Sequence, residues 1–439
     1  MAKVYIRTFG CQMNEYDSQR IASSFGELGY ELTTIPEEAD FAVINTCSVR
    51  EKPQQKVASE IGRLKTIKNI KIGICGCVAQ QEGENFLNNH KEVSFVFGTD
   101  AIDRLYEIID IVQKGGRICD TGVSDKGISI PVFERTTSVS AYVTIMKGCD
   151  NFCTYCIVPH VRGREKSRTP EEILEEIRYL AEHGVKEVTL LGQNVNSYGK
   201  NLEVSIDFPG LLGLVSKIDK IERIRFVTSH PKDFSEKLIH VMAEEKKITP
   251  YLHLPLQAGS DRVLERMNRK YSYIEYKQKV LLAKEIVPGL ALSSDFIVGF
   301  PGETDEDFEK TLDAIREIKY DSIFAFKYSP RPKTKASYIH DDVPEDTKNE
   351  RLKKLLDIQE KISSEILQNY VGKATSVLVE GRSKKDSEVF SGRNPQNRIV
   401  NFYSNYRLDI GDMVNVVITE AKRNSLFGKY AEIPEVLNA

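Results

Sequence analysis

Residues 146–159 read Met146-Lys-Gly-Cys149-Asp-Asn-Phe-Cys153-Thr-Tyr155-Cys156-Ile-Val-Pro159, which sets three thiols in one Cys-x-x-x-Cys-x-x-Cys loop. A loop this tight presents three thiolates to a single inorganic core. Cysteine thiolates hold iron–sulfur clusters, and a cubane normally takes four protein ligands. No cysteine follows Cys156, so either an upstream thiol closes the set or one iron stays open to bind and activate a small molecule. A zinc loop, with His160 or Cys119 as fourth ligand, is the alternative for the same donors.

Outward from the loop, apolar runs at 141–146, 187–191, 223–228, 251–255, 291–298 and 322–327 alternate with helical stretches. Thr169-Pro-Glu-Glu predicts a capped helix start that Gly184 ends, and Thr304-Asp-Glu-Asp307 predicts a capping box. Six strands with crossover helices predict a partial parallel β/α barrel, whose chemistry belongs at the carboxyl ends of the strands. The first four strands are followed by small or polar residues: the cysteine loop, Leu191-Gly192-Gln193-Asn194, Thr228-Ser229-His230-Pro231 and Leu254–Ser260; the segment Ser293–Glu303, with Asp295, spans the fifth. Such residues let backbone groups approach a ligand. Arg162, Arg164, Lys166 and Arg168 form a basic segment after the loop, and Arg331, Lys333 and Lys335 form another, both suited to phosphates.

Upstream, strands at 4–9, 41–45, 70–74 and 93–97 alternate with helices at 14–28, 51–65 and 99–113, predicting a Rossmann-like parallel sheet covered on both faces. Cys11, Cys47 and Cys77 each follow a strand, so three thiols distant in sequence would converge at one sheet edge. Cys75 competes with Cys77 for that role. Cys119 reads as a small buried hydrophobe. Residues 121–137 read as a linker.

Downstream, a long amphipathic helix at 346–370 precedes short strands at 374–380, 399–402, 413–419 and 429–432, which predict a small all-β barrel. Residues 371–439 carry ten Lys/Arg against eight Asp/Glu. Phe390, Phe402, Tyr403, Arg393 and Arg398 there mix rings with positive charge, as RNA-binding barrels do. Across all 439 residues the net charge is −3, which excludes a global basic field. No apolar run is long enough to span a bilayer, and no charged-then-apolar leader opens the chain. The expected setting is the cytoplasm, where eight cysteines point to metal or catalysis rather than disulfides.

The loop, with Tyr155 ahead of its third Cys, resembles the signature of radical S-adenosylmethionine (SAM) enzymes. That resemblance implies a 4Fe-4S cluster on Cys149, Cys153 and Cys156, with one iron chelating SAM. The strand-end segments resemble the SAM-binding elements of those barrels. Gly192, Gln193 and Asn194 stand in place of a Gly-Gly-Glu segment, here without its acidic residue, and Ser229 and Asp295 stand where the carboxylate and ribose contacts fall. Residues 391–402, Ser-Gly-Arg-Asn-Pro-Gln-Asn-Arg-Ile-Val-Asn-Phe, resemble a TRAM domain. The whole order resembles the methylthiotransferase family of radical SAM enzymes: a three-cysteine domain (1–120), a linker (121–137), a radical SAM core (138–368) and a TRAM module (369–439). The family pattern has Gly at the position of Cys75 and its ligand Cys at Cys77. Gly10-Cys-Gln-Met-Asn-Glu-Tyr-Asp-Ser18 and Asn45-Thr-Cys-Ser-Val-Arg-Glu-Lys52 resemble the branch that methylthiolates C2 of N6-dimethylallyladenosine beside the tRNA anticodon. Sister branches act on a ribosomal-protein aspartate or on threonylcarbamoyl-adenosine. A non-catalytic iron–sulfur RNA-binding protein is the reading from another class. The resemblance implies two 4Fe-4S clusters, the second on Cys11, Cys47 and Cys77 delivering sulfur. It also implies SAM, a tRNA anticodon stem-loop bound in part by Arg162, Arg164, Arg393 and Arg398, an electron donor such as flavodoxin or ferredoxin, a sulfur source, and a monomeric chain.

Overall fold

The computed structural model describes residues 1–48, 51–123, 128–135 and 138–431. Val49 and Arg50, part of the predicted linker and the end of the last predicted strand lie outside the described residues. The first unit runs β1 (Lys3–Phe9), α1 (Gln12–Glu27), β2 (Glu31–Thr33), β3 (Phe41–Thr46), α2 (Glu51–Leu64), β4 (Lys71–Gly76), α3 (Cys77–Glu82), α4 (Glu84–Asn89), β5 (Val93–Phe97), α5 (Leu105–Gln113) and β6 (Ile118–Asp120). All six strands are parallel in the order β2-β1-β3-β4-β5-β6. The inner strand β3 is buried along its whole length because helices cover both faces. The sequence reading missed β2 and β6, which are three-residue edges too short to show a period. It also ran α3 and α4 together as unassigned chain.

The second unit holds β7 (Ser140–Thr144), β8 (Met146–Lys147), α6 (Val158–Val161), β9 (Lys166–Ser167), α7 (Pro170–Glu182), β10 (Glu187–Leu191), α8 (Phe208–Ser216), β11 (Arg223–Phe226), α9 (Glu236–Glu244), β12 (Tyr251–His253), α10 (Asp261–Arg266), α11 (Tyr273–Ile286), β13 (Ala291–Val298), α12 (Asp305–Ile318), β14 (Ser322–Lys327) and α13 (Glu345–Gln368). Two parallel three-stranded halves, β7-β10-β11 and β12-β13-β14, meet at Ile224. Its N–H donates to the Lys247 carbonyl (2.7 Å) and its carbonyl accepts from Thr249 N (3.0 Å). The six-strand partial barrel is therefore as expected. Thr169 caps α7 through Glu172 N, and Thr304 with Asp307 forms the capping box of α12.

The third unit is a closed barrel of β15 (Ala374–Arg382), β16 (Phe390–Arg393), β17 (Ile399–Tyr403), β18 (Met413–Lys422) and β19 (Ser425–Tyr430), in the order β15-β16-β17-β19-β18. Strand β16 escaped the sequence reading because it is four residues long and carries Gly392, whose missing Cβ leaves room for the Leu378 carbonyl.

Buried arginines join the units. Arg168 is fully buried and donates to the carbonyls of Thr144 and Ile130 (both 2.8 Å) and to Glu176 Oε2 (2.6 Å). Glu176 also accepts from Arg135 (2.9 Å) and from Tyr16 on α1 (3.2 Å). Part of the predicted linker is thus packed between the first two units. Under the second unit, Arg225 donates to the carbonyls of Pro395 and Asn394 (both 2.8 Å), and Arg223 to that of Arg393 (2.6 Å). The planar guanidinium fork satisfies several carbonyls at once, a task the single ammonium of lysine does poorly.

Candidate active site

Cys11, Cys47 and Cys77 lie just past the carboxyl ends of β1, β3 and β4, which are neighbours in the sheet. The sheet therefore gathers them, as the sequence implied. Cys47 is hydrogen-bonded to Cys11, and Cys77 interacts electrostatically with Cys11. Two glycines make the space. A Cβ on Gly10 would sit 2.8 Å from Cys47 Cβ. Gly76 has φ of +87°, and a Cβ there would meet Asn45 Oδ1 at 2.4 Å. Asn14 braces the floor, donating to Asn45 Oδ1 (2.7 Å) and the Thr46 carbonyl (3.1 Å). Ser48 Oγ is buried beside Cys47 without a hydrogen-bond partner. Cys75 lies inside β4 and packs with Phe95 and Phe97 in the core. Cys119 sits in edge strand β6 beside Thr121, with Glu84 and Asp120 nearby.

The second triad is built by the loop after β8. Gly148 has φ of +78°, and a Cβ there would strike the Arg164 carbonyl at 2.0 Å, so glycine alone suits the position. Its N–H donates to Gln193 Oε1. Phe152 also adopts a left-handed backbone (φ +47°), and Asn268 Nδ2 clamps that turn by donating to the carbonyls of Asn151 (3.3 Å) and Phe152 (3.0 Å). Cys149, Cys153 and Cys156 sense one another's charge. Arg269, which the sequence reading overlooked, donates to Cys153 Sγ (3.3 Å), the Pro255 carbonyl (2.9 Å), Tyr271 Oη (2.7 Å) and Tyr155 Oη (3.4 Å). Nothing in Met267-Asn-Arg-Lys-Tyr271 marks it out; the reversal that delivers it depends on positive φ at Asn268 and Lys270.

The chain just after the second triad reaches the first. Ile157 and Val161, which flank and end α6, pack directly on Cys77. The residues weighed for zinc stand elsewhere: His160 is exposed on α6 and Cys119 is in β6. Soft thiolate sets of three fit iron–sulfur clusters. Buried, unpartnered polar atoms beside the second triad fit a polar cosubstrate: Asn194 Oδ1, Ser229 Oγ and His230 Nε2. Asn194 donates its amide to Asp233 (2.8 Å), which leaves that oxygen aimed elsewhere. Burial, aided by Arg269 and Lys232, holds His230 neutral, far below the ordinary imidazole range. Its Nδ1 accepts from Lys232 N (3.2 Å), so the ring proton sits on Nε2 as a free donor. A Cβ on Gly192 would meet Met146 at 2.4 Å, so Gly192 is a packing glycine. Asp295 faces His253 Nε2 (3.5 Å) inside the barrel. Tyr155 plugs against the core with its hydroxyl on Arg269.

The expected RNA-facing arginines divide. Arg164 is exposed and pairs with Asp150 (2.6 Å). Arg162 is buried against Asp17 (2.8 Å) and Arg168 is buried as described, so neither offers its charge to a phosphate. Arg398 is tied to Asp321 (3.0 Å) and Arg393 to Glu380 (3.4 Å) and Asn397 (3.3 Å). The loop 394–398 docks the small barrel on the large one in both directions: Arg398 donates to Asp321 and Gln396 to the Gly289 carbonyl, while the carbonyls of Asn394 and Pro395 accept from Arg225. Phe390 and Phe402 are core. Exposed rings on the small barrel include Tyr403, against Phe427 (5.4 Å) with Lys422 over Phe427 (4.6 Å), and Tyr406 against Tyr430 (5.3 Å).

Thiol acidity sets Cys11 apart from Cys149 and Cys156. A hydrogen bond from Cys47 brings Cys11 down to about 6, against burial and with help from Arg162 and the first amides of α1. Burial lifts Cys149 to about 11 and Cys156 to about 12. In iron-free chain at pH 7, iodoacetamide should therefore label solvent-accessible Cys11 before Cys149 or Cys156. Its rate should fall below pH 6 as the thiolate protonates. Peptide mass spectrometry reads this, and equal labelling would contradict the arrangement.

A partial parallel barrel whose first strand end carries three converging thiols defines a radical SAM enzyme. The Radical SAM superfamily model matches residues 143–315, that of Uncharacterized protein family UPF0004 residues 3–98, and that of the TRAM domain residues 368–431. The chain is 47% identical over 433 residues to a tRNA-2-methylthio-N(6)-dimethylallyladenosine synthase of Geotalea uraniireducens, covering 97% of this chain and 98% of that one. It is 48% identical over 425 residues to the protein so named in Bdellovibrio bacteriovorus, covering 95% and 93%. The chain belongs to the tRNA-2-methylthio-N(6)-dimethylallyladenosine synthase family. A solved structure of the radical SAM methyltransferase TsrM from Kitasatospora setae, with cobalamin and a [4Fe-4S] cluster, shares the fold at a TM-score of 0.58 and 12% identity, over 77% of this chain and 74% of that one.

Proposed function

We propose that the chain transfers a methylthio group to C2 of N6-dimethylallyladenosine beside the anticodon of tRNA, using SAM and two 4Fe-4S clusters. The observation that carries this reading is the packing of Ile157 and Val161, which follow the second triad, against Cys77 of the first. Cys149, Cys153 and Cys156 are the ligands of the SAM-cleaving cluster, and Cys11, Cys47 and Cys77 those of the sulfur-delivering one. When bound, these groups supply the electron that breaks SAM and the sulfur that is methylated, chemistry no side-chain acid or base provides.

The chain's own residues bind and orient. The His230 Nε2–H and the Ser229 hydroxyl are donors for the SAM carboxylate, and the Asn194 carbonyl oxygen accepts from its amino group. Gln193 fixes the cysteine loop by holding Gly148 N. Asp295 stays as a ribose contact, shared with His253. Arg164, Tyr403 and Lys422 are exposed or half-exposed on the outer surface and take up the RNA role. Residues 1–120 serve sulfur delivery, 138–368 SAM chemistry and 369–439 RNA binding. A flavodoxin or ferredoxin reduces the enzyme and a separate donor restores its sulfur. The chain works as a monomer in the cytoplasm, where the tRNA it modifies is found.

Anaerobically reconstituted protein with dithionite, SAM and tRNA carrying dimethylallyladenosine should yield 5′-deoxyadenosine and the methylthiolated nucleoside by mass spectrometry. SAM cleavage without change to that nucleoside would reject the substrate. No cleavage would reject the enzyme.

A further inference from the structure

Arg162 belongs by its backbone to the barrel, at the carboxyl end of α6, yet its guanidinium enters the other unit. It donates to Asp17 Oδ2 (2.8 Å) on α1 and is hydrogen-bonded to Cys77, with Cys11 in its field. The contact is held from both sides, because Thr99 Oγ1 donates to the Val161 carbonyl (3.1 Å) and Ile157 packs on Cys77. Burying an ion pair is costly, and an apolar pair would fill the space more cheaply. One guanidinium has five donors and Asp17 takes one. The other triad also has one buried arginine, Arg269, but its partners are tyrosine hydroxyls, a carbonyl and Cys153, with no carboxylate. The carboxylate counterweight is thus specific to the N-terminal triad.

We propose that Arg162 is a positioning residue that carries positive charge across the domain boundary onto Cys11 and Cys77, raising the electron affinity of the cluster they hold, while Asp17 moderates that charge. This rests on the cluster assignment above. Reduction adds one negative charge, which a neighbouring cation stabilises; hydrogen bonds to cluster sulfurs and net local charge are the levers on cluster potential. Neutralising the two partners should therefore have opposite effects.

The test uses the full chain with Cys149, Cys153 and Cys156 replaced by alanine, reconstituted with iron and sulfide and titrated potentiometrically by electron paramagnetic resonance. Arg162→Gln should lower the midpoint potential and Asp17→Asn should raise it. Arg162→Lys, which keeps the charge, should stay near the parent and serves if the glutamine variant does not fold. Shifts in the same direction, or none, with iron still bound overturn the inference alone, since a merely structural pair would move both variants alike. A parent that binds no iron overturns the cluster assignment and the inference together.

Discussion

Cys149→Ala is expected to abolish SAM cleavage while leaving iron on the N-terminal triad. The substitution removes one of three thiolates from a set with no spare. Cys153 and Cys156 are already engaged, and the neighbouring Asn151 amide, 3.5 Å from Cys149 Sγ, is a donor with no thiolate character. The next cysteine across the boundary, Cys77, is separated from the loop by the apolar side chains of Ile157 and Val161. A cluster held by two thiolates loses the defined geometry that presents its open iron to the cosubstrate, so 5′-deoxyadenosine should fall to background. The fold should survive. Loss of one buried sulfur costs about 1 kcal/mol, on the scale of a buried methylene, within the ~5–15 kcal/mol that typical domains hold in reserve. Circular dichroism should match the parent, and iron should fall by about half, since one of two cubanes is lost. Parent-level cleavage in this variant would remove the loop from the chemistry.

The legible part of this molecule was what repeats and what is close in sequence. Strands β5, β10, β13 and β14 were placed to the residue because their apolar runs are bounded by clear breakers. The thiol triads were legible for different reasons. Cys149, Cys153 and Cys156 are local, whereas Cys11, Cys47 and Cys77 were found only because a parallel sheet collects its carboxyl ends on one edge. What stayed hidden is the service each charged side chain gives across a boundary. In the sequence, Arg162, Arg164, Lys166 and Arg168 look alike. In the fold, Arg168 satisfies Thr144 and Ile130, Arg162 reaches Asp17, and Arg164 alone of the three arginines keeps an exposed side chain. Arg398 likewise reads as an RNA contact but answers Asp321 at the base of the barrel. Such partners lie 24 to 145 residues away, from Thr144 for Arg168 to Asp17 for Arg162, and no local pattern encodes them.

Cys77→Ala should remove about half of the bound iron, again one cubane of two, and stop methylthiolation, while SAM cleavage persists. Cys75→Ala should change neither. The two thiols are two residues apart, yet the chain turns between them. Cys75 is the penultimate residue of β4, with its side chain among Phe95 and Phe97. Gly76, at φ of +87°, ends the strand and swings Cys77 onto the first position of α3, facing Cys11. Burial without compensation drives the Cys75 thiol well above the ordinary range, so it stays protonated and is a poor metal ligand. Burial raises Cys77 too, but Arg162 opposes that rise by its charge and a hydrogen bond. The turn itself is testable. Gly76→Ala places a Cβ 2.4 Å from Asn45 Oδ1 and 2.5 Å from the Thr46 carbonyl in a backbone region alanine avoids. The clash must displace Cys77, and the variant should lose N-terminal iron as Cys77→Ala does, although every cysteine is present. Iron lost with Cys75→Ala but kept with Cys77→Ala would exchange the two assignments, and iron kept in Gly76→Ala would show that the turn does not deliver the ligand.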